Sequence, residues 1–287
     1  MSLEVVRPGA LTTVQDLGRP GHAHLGVPRS GALDPYAHRL ANLLTGNPPE
    51  AATLETTVDG AALRATAPVT AAVTGAPCPV RIDGRPAPWG AAIRVPAGCV
   101  LDVGRAVSGV RSYVAFRGGI DVEPVLDSRA TDLLSGLGPA PLTTGLTLGL
   151  GSPHAPSTGA DALPAPGPPT ELVLPLHLGP RDDWFAPQAV QDLARTRYRV
   201  SSASNRVGLR TEGPPLERTT PGELPSEGMV LGAVQVPPNG LPVVFLADHP
   251  VTGGYPVLGA VPEEHLAAAA QAAPGTPVVF LPLLRRT

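Results

Sequence analysis

Turn-forming residues punctuate this chain so densely that many short strands joined by tight turns are its natural architecture. There are 37 proline and 33 glycine residues among 287. Proline fixes φ and lacks an N–H, whereas glycine admits φ > 0 and close backbone approach. Short apolar runs separated by such residues fold as a β-sandwich or barrel. This density approaches that of disordered chains. Against disorder stand 43% hydrophobic residues and a mean hydropathy of +0.10, enough to bury a core. Aromatic residues are only 3%, so that core must be built from Val, Leu and Ala.

Along the chain, residues 1–33 read as loop-rich. A helix follows: Asp34 is an N-cap, Pro35 suits the first helical position, Leu40, Leu43 and Leu44 share a face, and Gly46 closes it. A strand is expected at 54–57, and 61–117 reads as β throughout, with Asp83-Gly84 a two-residue hairpin turn. Residues 121–150 alternate Leu and Gly with Ser and Thr and read as a rim loop. The β pattern lapses into proline at 156–170, the expected linker. It resumes with strands at 172–178, 197–201, 230–236, 243–246 and 278–281 and helices at 188–195 and 263–273. Two barrel-like subdomains are therefore expected, 1–155 and 171–287, with a few short helices.

The absence of a residue type does much of the excluding. All 21 basic residues are Arg and none is Lys. This rules out a Schiff base, a lysine general base, a P-loop, a serine amidase activated by lysine and a biotin carrier. A net charge of −3 with no basic stripe argues against nucleic acid. The apolar runs are too short to span a membrane. Met1-Ser2-Leu3-Glu4 lacks the charged and apolar regions of a signal peptide. With Cys78 and Cys99 isolated and read as reduced thiols, the chain is expected to be cytoplasmic. Seven His residues form no ligand pattern beyond His22-x-His24, so no metal site is expected.

Two stretches mix rigid turns with committed polar side chains. One runs from Thr12 to Asp34 and carries Gln15, Asp16, Arg19 and Arg29. The other runs from Val234 to Pro256 and carries Gln235, Asp248 and Tyr255. Positioned polar groups on such loops are where binding and chemistry sit. Asp16 and Asp248 have no cap role in the sequence, so either can serve as a general base or accept a substrate N–H. Arg19, Arg29, Arg206 and Arg210 can hold a carboxylate or phosphate, or pair with acids and fix the fold. Gln15, Gln235 and Tyr255 suit binding of an amide or carbonyl.

These same residues carry a resemblance. Thr12 to Gly21, Gly26 to Asp34, Ala41-Asn42, Gly46-Asn47, Leu54-Glu55-Thr56-Thr57, Ser204 to Arg210, Gln235-Val236-Pro237-Pro238-Asn239-Gly240 and Thr252-Gly253-Gly254-Tyr255-Pro256 together resemble one family. It is that of allophanate hydrolase subunit 2 and the C subunit of bacterial 5-oxoprolinase. That family includes the antagonist of a sporulation-kinase inhibitor and half of the carboxyltransferase domain of urea carboxylase. The resemblance implies two cyclophilin-like β-barrel subdomains. It implies a companion B subunit, a further A subunit and a small polar substrate. The implied reaction is lactam hydrolysis, the ATP-dependent opening of 5-oxo-L-proline to L-glutamate, in a site shared with the B subunit. Three alternatives stand beside it: urea carboxylase-type carboxyl transfer from biotin on a separate carrier, an allophanate hydrolase-associated subunit, and regulatory binding of a histidine-kinase inhibitor. On this reading the catalytic residues are expected to be Asp16 and Asp248. The expected substrate-binding residues are Gln15, Arg19, Asn205, Arg206, Gln235 and Tyr255. Asn205 stands where the family usually has Asp.

Overall fold

The computed structural model describes residues 1–153, 167, 169–220, 222 and 224–283. The chain divides into two compact units. The first comprises Met1–Arg19, Ser30–Asp132 and Gly136–Pro168, and the second comprises Pro20–Arg29, Leu133–Ser135 and Pro169–Thr287. The expected linker at 156–170 lies almost wholly outside the described residues.

In the first unit the strands are β1 (Ser2–Arg7), β2 (Thr12–Gln15), β3 (Thr53–Thr57), β4 (Ala62–Ala65), β5 (Val69–Gly75), β6 (Val80–Ile82), β7 (Arg85–Ala87), β8 (Ala92–Val95), β9 (Val100–Val103), β10 (Arg111–Phe116), β11 (Ile120–Asp121) and β12 (Thr147–Leu150). They form a seven-stranded sheet, β11-β12-β1-β4-β9-β6-β7, and a five-stranded sheet, β2-β3-β10-β5-β8. Leu3, Val5, Leu54, Leu63, Val73, Leu101, Val114 and Phe116 share one buried core. It is aliphatic, as the scarcity of aromatics requires. β10 is buried along its whole length because both of its faces are covered. Val114 and Phe116 face the main core, while Tyr113 and Ala115 meet Ala32, Ala37 and Ala41 beside the helix α1 (Pro35–Thr45).

Local signals in this unit set local structure. The Asp34 carboxylate accepts the Ala37 N–H at 3.0 Å, Pro35 opens α1, and Gly46 ends it at φ 74°. Asp83 (φ 47°) and Gly84 (φ 79°) make the β6–β7 hairpin turn. The loop-rich reading of 1–33 missed β1 and β2, and the rim-loop reading of 121–150 missed β12. β1 does alternate, with Leu3 and Val5 inward and Glu4 outward. β2 is polar yet buried at every position, because chain from far along the sequence covers it. Thr131 N–H donates to Val14 O at 2.9 Å, and Leu142 N–H to Thr12 O at 2.9 Å.

The second unit contains β13 (Leu172–Leu178), α2 (Pro187–Asp192), β14 (Tyr198–Val200), β15 (Gly208–Glu212), β16 (Glu227–Gly228), β17 (Ala233–Gln235), β18 (Val243–Phe245), β19 (Thr252–Gly253), β20 (Val257–Ala260), α3 (Leu266–Gln271) and β21 (Pro277–Leu283). Seven strands close a barrel, β13-β20-β17-β18-β15-β14-β21, sealed by parallel pairing of β13 with β21. β16 and β19 form a separate two-stranded ribbon. Both helices are shorter than the sequence suggests. α2 ends at Asp192, whose carbonyl accepts both the Arg195 and Thr196 N–H groups at 2.8 Å. The segment read as one helix from 263 begins as a 3-10 turn, Glu263–His265, with no side-chain cap. Among the described residues no helix is long and apolar enough to cross a membrane.

Candidate functional site

Gln15 at the end of β2, and Asp16 and Arg19 on the loop that follows, all bind the same distant segment, 125–131. Gln15 is fully enclosed, and its Nε2 donates to Thr13 Oγ1 and to Thr131 O, each at 3.0 Å. Its Oε1 is buried without a hydrogen bond. The Asp16 carboxylate accepts three hydrogen bonds: from Gly18 N–H at 2.7 Å, Ser128 Oγ–H at 2.7 Å and Arg129 N–H at 2.6 Å. Arg19 is 1% exposed and ends on main-chain oxygens, donating from Nε to Val125 O at 3.2 Å and from Nη2 to Ala130 O. Ser30, at φ 54°, donates from Oγ to Thr131 O at 3.0 Å. Glycine is required beside it: a Cβ on Gly31 would lie 2.7 Å from Gly18 N.

A second buried polar group in this unit centres on Glu55. Its Oε2 accepts the Tyr113 hydroxyl at 2.7 Å and the Leu33 N–H at 3.0 Å, and Arg111 Nε lies 3.7 Å from Oε1. Tyr113 Oη accepts the Asp34 N–H at 2.7 Å. Burial, reinforced by the charge of Glu55, drives the Tyr113 pKa well above the usual phenol range. It therefore stays protonated as a donor. His38, on α1, bonds Thr53 Oγ1 at 2.9 Å and Pro49 O at 3.0 Å; burial lowers its pKa to about 4, so it is neutral at pH 7.

In the second unit Arg206 and Asp248 form an enclosed bidentate pair. Nε to Oδ2 and Nη2 to Oδ1 are both 2.9 Å, with Arg206 1% and Asp248 0% exposed. Asp248 Oδ2 also accepts Leu133 N–H at 3.1 Å, and Asp248 N–H donates to Arg206 O at 3.1 Å. Asn205, at the turn before β15, accepts Val207 N–H at 2.9 Å and Gly208 N–H at 3.2 Å on Oδ1 and is exposed.

Gln235 and Tyr255 form a separate cluster. Gln235 Nε2 donates to Tyr255 O at 3.1 Å, and the Tyr255 side chain is exposed. A Cβ on Gly253 would stand 2.9 Å from Gln235 Nε2, so glycine there lets the amide sit where it does. Of the other arginines singled out, Arg29 pairs with Glu263 at 2.9 Å, and Arg210 is an exposed β15 residue.

These geometries assign different tasks to residues that look alike in sequence. A general base needs a lone pair that substrate can reach. The Asp16 oxygens are engaged by three donors, and Asp248 is sealed against Arg206 and Leu133. Both carboxylates are taken up by contacts that tie loops together. Tyr255 and Asn205 are the expected residues nearest to solvent, whereas Gln235 is buried at the end of β17. Ser128, Arg129 and Leu133, which complete the carboxylate groups, left no local signal, since Asp16 meets Ser128 across 112 residues. Among the described residues no group of three or more His, Cys, Asp or Glu is arranged to hold a metal ion.

Known proteins share this architecture and much of this sequence. Residues 25–282 match the family described as carboxyltransferase domain, subdomain A and B. The chain is 38% identical to the C subunit of 5-oxoprolinase from Escherichia coli, over 97% of this chain and 90% of that one. It is 31% identical to the urea amidolyase of Saccharomyces cerevisiae, over 98% of this chain but 17% of that one. The crystal structure of the K. lactis urea amidolyase superposes with a TM-score of 0.91 at 30% identity, covering 99% of this chain and 19% of that chain. The chain thus spans under a fifth of these two urea amidolyases.

Proposed function

The chain belongs to the carboxyltransferase domain family of subdomains A and B, and from that premise we propose that it is the C subunit of an ATP-dependent 5-oxoprolinase. In this reading it completes, with a companion B subunit and alongside an A subunit, a site that opens 5-oxo-L-proline to L-glutamate. One observation carries the proposal: the match to the C subunit of Escherichia coli 5-oxoprolinase runs nearly end to end on both chains. The urea amidolyases instead hold the matching region within a much longer chain.

The residues divide by role. Tyr255, exposed on its loop, and Gln235, buried at the end of β17 and bonded to the Tyr255 carbonyl, orient the lactam amide. Asn205 holds the turn that leads into β15. Asp16 and Asp248, expected from sequence as bases, serve as positioning residues, as do Gln15, Arg19 and Arg206. With no Lys there is no P-loop, so the nucleotide is held in another mode or by another subunit of the complex.

The test is ATP-dependent glutamate release from 5-oxo-L-proline by the three subunits together, and then with this chain omitted. Turnover that requires this chain supports the proposal, and its absence from an assembled complex refutes it. A second reading, carboxyl transfer to a urea-like acceptor from carboxybiotin on a separate carrier, is favoured by the likeness to the K. lactis urea amidolyase. Carboxylation of urea by the same complex given a biotinylated carrier would select it.

A further inference from the structure

Arg218 is a residue that nothing in the sequence singled out, yet it lies against the Gln235–Tyr255 cluster. Its Nη2 donates to Val236 O. Val236 N–H donates to Pro256 O at 3.1 Å, and the preceding residue, Gln235, holds Tyr255 O at 3.1 Å. The guanidinium is thus tied directly to the segment that carries Gln235 and, through Val236, to the one that carries Tyr255.

Arg19 is enclosed among main-chain oxygens, but three other buried or half-buried arginines meet a carboxylate. Arg206 ends on Asp248, Arg111 approaches Glu55, and the half-buried Arg181 ends on Glu227. Arg218 is also partly buried, but among the described residues no carboxylate reaches it. Its Nε is enclosed without an acceptor, and its Nη1 has no protein partner among them. Desolvation lowers its pKa, with the Tyr255 phenol opposing. A cation drawn partly out of water without a counter-charge is costly unless a ligand supplies one. A planar fork with a free nitrogen suits a carboxylate. The 40% exposed Tyr255 offers a hydroxyl and an apolar ring at the same loop.

We propose that Arg218 anchors a carboxylate-binding subsite at the Gln235–Tyr255 loop. The identity of the bound molecule rests on the oxoprolinase reading: 5-oxo-L-proline carries one carboxylate besides its lactam. Holding that carboxylate on Arg218 would leave the ring amide for Gln235 and the Tyr255 hydroxyl. Arg218 then determines specificity for acids over their neutral amides.

The test compares Arg218→Met and Arg218→Lys in the assembled complex, with 5-oxo-L-proline and with its neutral carboxamide. Arg218→Met should raise KM for the acid roughly 10- to 100-fold, the loss expected for a charge-assisted hydrogen bond. KM for the carboxamide should stay within about twofold, and Arg218→Lys should recover part of the loss. Equal effects on both substrates, or none on the acid, would overturn the proposal. So would failure of Arg218→Met to co-assemble with the B subunit, which would show the charge meeting a protein partner.

A second arm needs no turnover. Phenylglyoxal labelling of the isolated chain, read by peptide mass, should find Arg218 protected by acetate and by 5-oxo-L-proline but not by the carboxamide. Protection without lactam turnover would leave the anchor standing and remove the oxoprolinase reading. Turnover with neither protection nor a KM effect would remove the anchor alone.

Discussion

Replacing Asp248 with Asn tests how this chain uses a buried charge. Asp248 is 0% and Arg206 1% exposed, and two hydrogen bonds of 2.9 Å join them. An exposed ion pair contributes about 0–1 kcal/mol. Removing one partner of an enclosed pair costs about 3–5 kcal/mol, because the remaining charge stays buried without its counter-ion. Asparagine keeps the side-chain shape but turns an N–H₂ towards the guanidinium, so one donor faces another. For a chain of this size, about 2–4 °C per kcal/mol converts the loss to a drop in Tm of roughly 6–20 °C.

Calorimetry and guanidinium unfolding of wild type, Asp248→Asn, Arg206→Met and the double variant Arg206→Met/Asp248→Asn measure this directly. The double variant should be less destabilised than the sum of single losses by about 2–4 kcal/mol, since it removes both charges at once. Raising salt to 1 M should leave the wild-type contribution nearly intact, because a sealed pair is poorly screened. A loss below about 1 kcal/mol for Asp248→Asn would place the pair in the exposed class and refute the argument.

His38 predicts a pH dependence. Its folded pKa of about 4 lies below the unfolded 6.5, so the stability it contributes is present above pH 6.5 and lost as pH falls towards 4. Wild type should lose about 2 kcal/mol more than His38→Gln between pH 6.5 and 5, read from urea unfolding at each pH; parallel curves would contradict this. Tyr113→Phe takes one partner from Glu55 and one from the Asp34 N–H and should cost about 2–6 kcal/mol, at about 1–3 kcal/mol for each buried group that loses a hydrogen bond; a neutral result in the same assay would show that water replaces the hydroxyl. Asn205→Asp should change stability by less than about 0.5 kcal/mol, because a carboxylate oxygen can accept the Val207 and Gly208 N–H groups equally well; a larger loss would give Asn205 a contact beyond the turn.

What could be read from the sequence was what neighbours in sequence decide. Asp34, Pro35 and Gly46 mark α1 because a helix end is satisfied within three or four residues. Asp83-Gly84 marks its hairpin because two residues with φ > 0 suffice. β2 could not be read this way: Thr12, Thr13 and Gln15 are polar, and only the chain at 131–142 explains their burial. β12 was hidden among Leu-Gly alternation until its pairing with β1. The second unit's barrel depends on the parallel pairing of β13 with β21, whose residues stand about a hundred positions apart, and no local pattern announces such closure.

The candidate site shows the same division with a sharper consequence. Polar residues on glycine-rich loops marked two of the places where the chain builds polar structure, but not the group around Glu55. Residue type and loop context did not separate an enclosed organiser from an accessible binder. Asp16 and Tyr255 look equally committed in sequence, yet the Asp16 carboxylate is occupied by three donors while the Tyr255 ring stands 40% exposed. The deciding quantity is whether distant chain supplies partners, as Ser128 and Arg129 do for Asp16 and Arg206 does for Asp248. Arg218 makes the converse case. An ordinary arginine in a proline-rich stretch becomes conspicuous only when folding carries it against β17 and, among the described residues, no carboxylate arrives with it. Function in this chain is therefore to be sought where charge remains uncompensated after folding, and Arg218 is where that is seen most directly.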